Sequence, residues 1–143
     1  MTTGKKLVDE IRAGRATPPP GIATLGLDVT HRWITVQEPG VTTFVWTVDP
    51  AYSNLEGAVI CSWLIALADQ ALFFASNSLC NEGESTRMRS LRFEQSANIT
   101  GGDVTIAARI VDREGAAMTG RCEFELEDGS VAATVDAYIL IVD

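Results

Sequence analysis

The spacing of apolar and polar positions divides the chain into a front part, a long apolar block and a back part of different period. Near the start, Leu7, Val8 and Ile11 recur at helical spacing over Lys5 to Ala13, and the pattern stops at Gly14, which predicts a short surface helix. Pro18-Pro19-Pro20-Gly21 then imposes an extended connector, because proline fixes φ and removes a backbone donor. From Leu25 onward Thr, Val, Ile and Trp are frequent. Glu38-Pro39-Gly40 separates two such runs, so a hairpin of strands is expected at roughly 25–37 and 41–49.

Gly57 to Leu79 is apolar on nearly every face and rich in the helix formers Ala66, Leu67, Ala68, Ala71 and Leu72. Its length suits a bilayer, but Asp69 sits near its middle, where a carboxylate costs ~2.5–3.5 kcal/mol on insertion, and Gln70 adds to that. The segment therefore reads as a helix wrapped by a sheet and not as a membrane span. Beyond the loop Cys80 to Ser85, four strand-like runs follow: Thr86 to Ala97, Val104 to Val111, Met118 to Glu127 and Val131 to Val142. Gly101-Gly102, Glu114-Gly115 and Asp128-Gly129 separate them, and the last is a two-residue hairpin signal. Glu123, Glu125 and Glu127 alternate with Phe124 and Leu126, which gives that strand an acidic solvated face and an apolar buried one. The predicted architecture is α+β in a single domain over 1–143, with residues 1–21 as N-terminal helix and connector. A long helix is buried against one curved antiparallel sheet of about six strands.

Composition narrows the function. At 143 residues the chain can bury ~70% of its unfolded surface around one core. With 46% hydrophobic and 21% charged residues it is neither disordered nor a disulfide-dense mini-protein. Eleven Lys and Arg against nineteen Asp and Glu give a net charge of −8, which opposes nucleic acid and anionic membrane as partners. Cys61, Cys80 and Cys122 are odd in number, far apart and without Cys-x-x-Cys spacing, so neither a disulfide framework nor a zinc ribbon is expected, and a reduced cytoplasmic setting is. No apolar run follows Lys5 and Lys6, so no signal peptide is read. The single histidine, His31, excludes a His-rich metal site. Beside Arg32 and Trp33 in a predicted strand, it reads as an ordinary strand residue.

Within the apolar helix, Ser62, Asp69 and Ser76 recur every seven positions and so fall on one line down the cylinder. A carboxylate in a water-poor groove costs several kcal/mol unless hydrogen-bonded or paired. Two readings follow: a structural Asp satisfied by a Ser, a Thr or a partner subunit, or a catalytic one. Eight residues separate Cys61 at the helix start from Asp69, roughly 12 Å along the axis, so one chain cannot bring its own carboxylate to its own helix start, whereas an antiparallel pair of helices about a two-fold axis could. Arg87, Arg89 and Arg92 form a basic cluster suited to phosphates or simply solvated on a strand. Trp63, Phe73, Phe74 and Met88 suit either an acyl pocket or core packing, Asn54 suits a turn, and Cys61 is either a thiolate nucleophile or a small hydrophobe.

Asn54-x-x-Gly57, then a helix start and Asp69 fifteen residues after the Asn, resembles the signature of PaaI-type hotdog thioesterases, whose pattern is Asn-x-x-Gly-x-x-His-Gly-Gly followed by a helical Asp. The resemblance extends through Arg12-Ala13-Gly14-Arg15-x-x-Pro18-Pro19-Pro20, Glu38-Pro39-Gly40 and Arg92-Phe93-Glu94-Gln95-Ser96-Ala97. It implies a hotdog fold and hydrolysis of an acyl- or aryl-acyl-CoA thioester at a dimer interface. Carried over by position, Asp69 is nucleophile or general base, the Cys61 backbone N–H polarises the carbonyl, Asn54 orients water or substrate, and Thr86 supplies a hydroxyl near the carboxylate. Gly57, Ile60, Ser62, Trp63, Arg87 and Arg89 are the implied substrate-binding positions. No metal or cofactor is implied beyond the coenzyme A of the substrate, and the partner is a second copy, as a dimer or a dimer of dimers. Ile60-Cys61-Ser62 stands where the family has His-Gly-Gly. That departure leaves open a hotdog protein that binds acyl-CoA or an aromatic ligand without turnover. A hydro-lyase needs a histidine beside the acid, and His31 is in the wrong segment.

Overall fold

Among the described residues, six antiparallel strands form one sheet in the order β1-β2-β4-β5-β6-β3, with one long helix packed on it. The computed structural model describes residues 9–10, 13–15 and 35–143. Most of the helix expected at 5–13, the Pro18–Pro20 connector, most of the strand expected at 25–37, and His31 lie outside the described residues. Strand β1 (Thr35–Glu38), at one end of the sheet among the described residues, is joined to β2 (Val41–Thr47) by the expected turn at Pro39-Gly40. A 3-10 turn (Pro50–Tyr52) leads to α1 (Cys61–Asn77), followed by β3 (Ser85–Gln95), β4 (Asp103–Glu114), β5 (Ala117–Glu125) and β6 (Val131–Val142).

Helix α1 buries most of its circumference because it lies in the hollow of the sheet. Leu64, Leu67, Ala68, Ala71, Leu72, Phe74 and Ala75 are fully buried against Val104, Ile106, Met118, Phe124 and Val135. Each large aliphatic so buried contributes about 1.5–3 kcal/mol relative to exposure. The small side chains let the backbones approach, and Gly120 on β5 does so most directly: a Cβ there would meet Leu72 Cδ2 at 2.8 Å. The far end of the helix is tied to the β1–β2 turn, where the Gly40 N–H donates to Ser78 Oγ at 2.8 Å. Among the described residues no helix is long and apolar enough to cross a membrane.

After α1 the chain crosses to the far edge of the sheet, so β3 pairs with β6 and its other side meets no strand among the described residues. A bulge at Arg89 shifts the register between Met88 and Ser90. Strand β5 alternates as expected, with Met118, Cys122 and Phe124 buried and Thr119, Arg121 and Glu125 exposed. The expected two-residue hairpin at Asp128-Gly129 is instead a longer turn. Leu126 N–H donates to the Ser130 carbonyl and Gly129 N–H to the Leu126 carbonyl, with Gly129 at φ 86°. A right-handed turn through Glu127 and Asp128 needs one left-handed residue to restore the strand twist, and glycine supplies it.

Candidate active site

The segment before α1 is organised by Asn54. Its side-chain carbonyl accepts from the Glu56 and Ala58 N–H groups at 2.9 and 3.1 Å, and its backbone N–H donates to the Ala58 carbonyl at 2.7 Å. Gly57 takes the left-handed conformation, φ 81°, that closes this loop. The Asn54 carbonyl oxygen is thus committed to its own loop, and only its amide nitrogen is left to meet water or substrate. The loop feeds α1 through Ile60, whose backbone is extended and which offers no side-chain cap, with no acidic residue in the first turn. Ile60, Cys61 and Ser62 are all exposed there, so the helix start presents uncapped N–H groups that favour developing negative charge. Trp63 turns away from this opening. It is buried, stacked on Tyr52 with centroids 3.8 Å apart and tilted against Trp46, which makes it core and not pocket lining.

Two turns further along, Asp69 stands at the rim of a cleft of about 70 Å³ lined also by Leu72, Phe73, Ser76, Thr86, Met88 and Ile139. The expected polar line therefore exists, but its members differ: Ser62 and Asp69 are exposed on the isolated subunit while Ser76 is buried. The carboxylate is not sealed in a water-poor groove, because the sheet covers the neighbouring face of α1 and leaves this one open. Crowding by the cleft walls nonetheless removes enough water to raise the Asp69 pKa above its ordinary value, with the Gln70 amide, 3.5 Å away, acting weakly in the opposite direction.

Thr86 reaches the same cleft from β3 and is held by α1. Ser76 Oγ lies 2.9 Å from Thr86 Oγ1, and Asn77 Nδ2 donates to that oxygen at 2.7 Å. Phe73 and Met88 are half-buried and line the cleft, whereas Phe74 is core. Arg87 is paired in register with Leu140 and so faces the opposite side of the sheet from Thr86 and Met88, Arg89 sits on the bulge, and Arg92 is ion-paired with Glu94. None of the three arginines lines the cleft.

One chain thus brings together Asp69, Thr86, Phe73, Met88 and Ser76, and keeps Cys61 at the α1 start roughly 12 Å from Asp69 along the helix axis, with Asn54, Gly57 and Ile60 in the loop before it. Asn77 and Ile139 were not legible as site residues. The available signal for Asn77 was an amide near the end of an otherwise apolar helix, a place where a buried polar group needs a partner. Among the described residues no cluster of three His, Cys, Asp or Glu could hold a metal ion.

Compared by sequence, the chain matches no family model and no curated protein. Solved structures do match. A phenylacetic acid degradation-related protein from Ralstonia eutropha JMP134 superposes with a TM-score of 0.78 at 20% identity, over 93% of this chain and 98% of that one. A thioesterase family protein from Silicibacter pomeroyi gives 0.77 at 18% identity, covering 94% and 98%. The PaaI protein of the E. coli phenylacetic acid degradation operon gives 0.72 at 16% identity, covering 86% and 91%. The long helix held in a curved antiparallel sheet is accordingly the fold of these structures, a hotdog fold.

Proposed function

We propose that the chain is a thioesterase that hydrolyses the thioester of an acyl- or aryl-acyl-CoA at a site shared between two copies. The observation that carries this reading is the meeting of Asp69 and Thr86 on one cleft, in a fold common to thioesterases. The Asp69 carboxylate accepts a proton from water as the water oxygen attacks the thioester carbonyl carbon. A raised pKa brings it closer to the range in which a carboxylate is an effective base. Negative charge develops on the carbonyl oxygen, which the Cys61 backbone N–H at the α1 start of the other copy stabilises. Collapse breaks the carbon–sulfur bond, the thiolate recovers the proton from Asp69, and acid and free coenzyme A leave. The reaction asks for no cofactor beyond the coenzyme A of the substrate.

A second copy is required because α1 holds its own start and its own carboxylate too far apart. The β3 edge supports that arrangement: it is unpaired among the described strands and lies beside the cleft through Thr86 and Met88. A two-fold pairing there would set two α1 helices antiparallel. A second reading, binding of acyl-CoA without turnover, is favoured by one observation only: the exposed Ile60, Cys61 and Ser62 side chains crowd the helix start.

Purified protein offered a panel of acyl- and aryl-acyl-CoA esters separates the two. Loss of thioester absorbance is the suitable signal, because the exposed Cys61 would itself consume a thiol reagent. Hydrolysis that Asp69→Asn abolishes supports the thioesterase. Binding without hydrolysis across the panel refutes it in favour of the second reading.

A further inference from the structure

Asn77, at the end of α1, is hydrogen-bonded to the Thr86 hydroxyl. The residue is 4% exposed, and its Nδ2 donates both to the Phe73 carbonyl at 2.9 Å and to Thr86 Oγ1 at 2.7 Å. An amide nitrogen carries two protons, and these contacts use both. The bond back to Phe73, one helical turn earlier, fixes the amide as a donor, so Thr86 Oγ1 is an acceptor at that contact. Its other neighbour is Ser76 Oγ at 2.9 Å, whose alternative acceptor is the Phe73 carbonyl at a longer 3.3 Å. The Ser76–Thr86 contact admits either donor; with Ser76 donating, both Thr86 lone pairs are occupied, which leaves the Thr86 proton for the cleft that Thr86 and Asp69 both line.

We propose that Asn77 is a positioning residue that makes the Thr86 hydroxyl a hydrogen-bond donor into the Asp69 cleft, where it holds the oxygen of the attacking water. One water lone pair then accepts from Thr86, one water proton faces the Asp69 carboxylate, and the remaining lone pair is free to attack. The inference rests on the thioesterase reading and adds to it a residue that touches neither water nor substrate. A buried amide that only packed the helix end would lack this link to one hydroxyl.

The test is a double-mutant cycle on kcat and KM with one acyl-CoA ester that the wild type hydrolyses, each variant being checked by its melting temperature. Thr86→Val and Asn77→Leu remove the hydroxyl and the amide donor with little change of shape. Each is expected to lower kcat on the order of 10²-fold, as for loss of one oriented donor, with KM little changed. The double variant is expected to be no slower than Thr86→Val alone, and Thr86→Ser to keep most of the rate. An Asn77→Leu penalty that persists in the Thr86→Val background, or no penalty at all, overturns the proposal. Should Asn77→Leu fail to fold, Asn77→Asp replaces it in the same cycle, since a carboxylate accepts where the amide donates. A wild type without turnover, or an equally active Asp69→Asn, defeats the thioesterase reading and this proposal with it. An active wild type, a dead Asp69→Asn and multiplicative Asn77 losses overturn the positioning role alone.

Discussion

Adding one methyl group at Gly120 should both destabilise the protein and disturb its cleft, because Leu72 stands between the two. A Cβ at residue 120 would lie 2.8 Å from Leu72 Cδ2 and 3.4 Å from Ile110 Cδ1. Ordinary carbon contacts are at ~3.5–4.0 Å, so Leu72 must yield by most of an ångström from a fully buried position. Overpacking of this kind costs about 1–3 kcal/mol. Gly→Ala also stiffens the unfolded chain, which stabilises by about 0.4–1 kcal/mol and only partly offsets the clash. The net expectation for Gly120→Ala is a loss of about 1–2 kcal/mol, or about 3–8 °C in Tm for a chain of 143 residues. Leu72 also lines the Asp69 cleft, whose volume is only about 70 Å³, so turnover per folded molecule should fall too. Leu72→Ala alone should cost about 2–5 kcal/mol by leaving a cavity. The double variant should cost less than the sum, since the new methyl partly fills that cavity. Thermal unfolding of the four proteins measures the coupling, and an unchanged Tm in Gly120→Ala or strict additivity in the pair would refute the reasoning.

Asp69→Asn should keep the fold and lower kcat/KM by ~10²–10⁴-fold, as for loss of a general base. Wild-type turnover should rise with pH through the raised Asp69 pKa, because the working form is the carboxylate. The same shift has a stability consequence. A folded pKa above the unfolded one contributes stability present at low pH and lost as pH rises through it. Above that range the Asn variant should therefore melt no lower than wild type, and a clear drop in Tm would point to a structural carboxylate. Cys61→Gly should preserve or raise turnover, since the backbone donor stays and the side chain no longer crowds the carbonyl. Activity that disappears with the sulfur would instead mark a thiolate nucleophile. Sedimentation at micromolar concentration should give at least twice the monomer mass, and a monomeric result would sink the two-chain site.

The back half of the fold could be read from the sequence because its periods are strong. The run Val131 to Val142 is β6 to the residue, and the apolar block from Gly57 to Leu79 contains α1, Cys61–Asn77, with the ends trimmed where Gly57 and Leu79 enter loops. Features set by a single extra residue were not legible. The bulge at Arg89 breaks the alternation that would predict which face each β3 arginine takes, and the left-handed Gly129 lengthens a turn that dipeptide chemistry alone would make shorter. Asp69 and Thr86 could be singled out one at a time, but their environment could not. How much of Asp69 the protein covers depends on where the sheet ends, and the grip of Asn77 on Thr86 depends on the loop that folds β3 back beside α1.

The strand order also dictates when the cleft comes into existence. Turns between successive strands let β4, β5 and β6 zip as a meander from contacts close in the chain, which is the fast kind of assembly. Strand β3 precedes this meander in sequence but among the described strands pairs with β6 alone, so its pairing closes a long loop and is the slower kind of contact. Thr86 arrives with β3, and α1 is tethered to the same closing event through Ser76 and Asn77. A kinetic intermediate consisting of the meander would have most of the sheet and no cleft. Slowing the docking of β3 should therefore delay the appearance of activity far more than the appearance of β-structure.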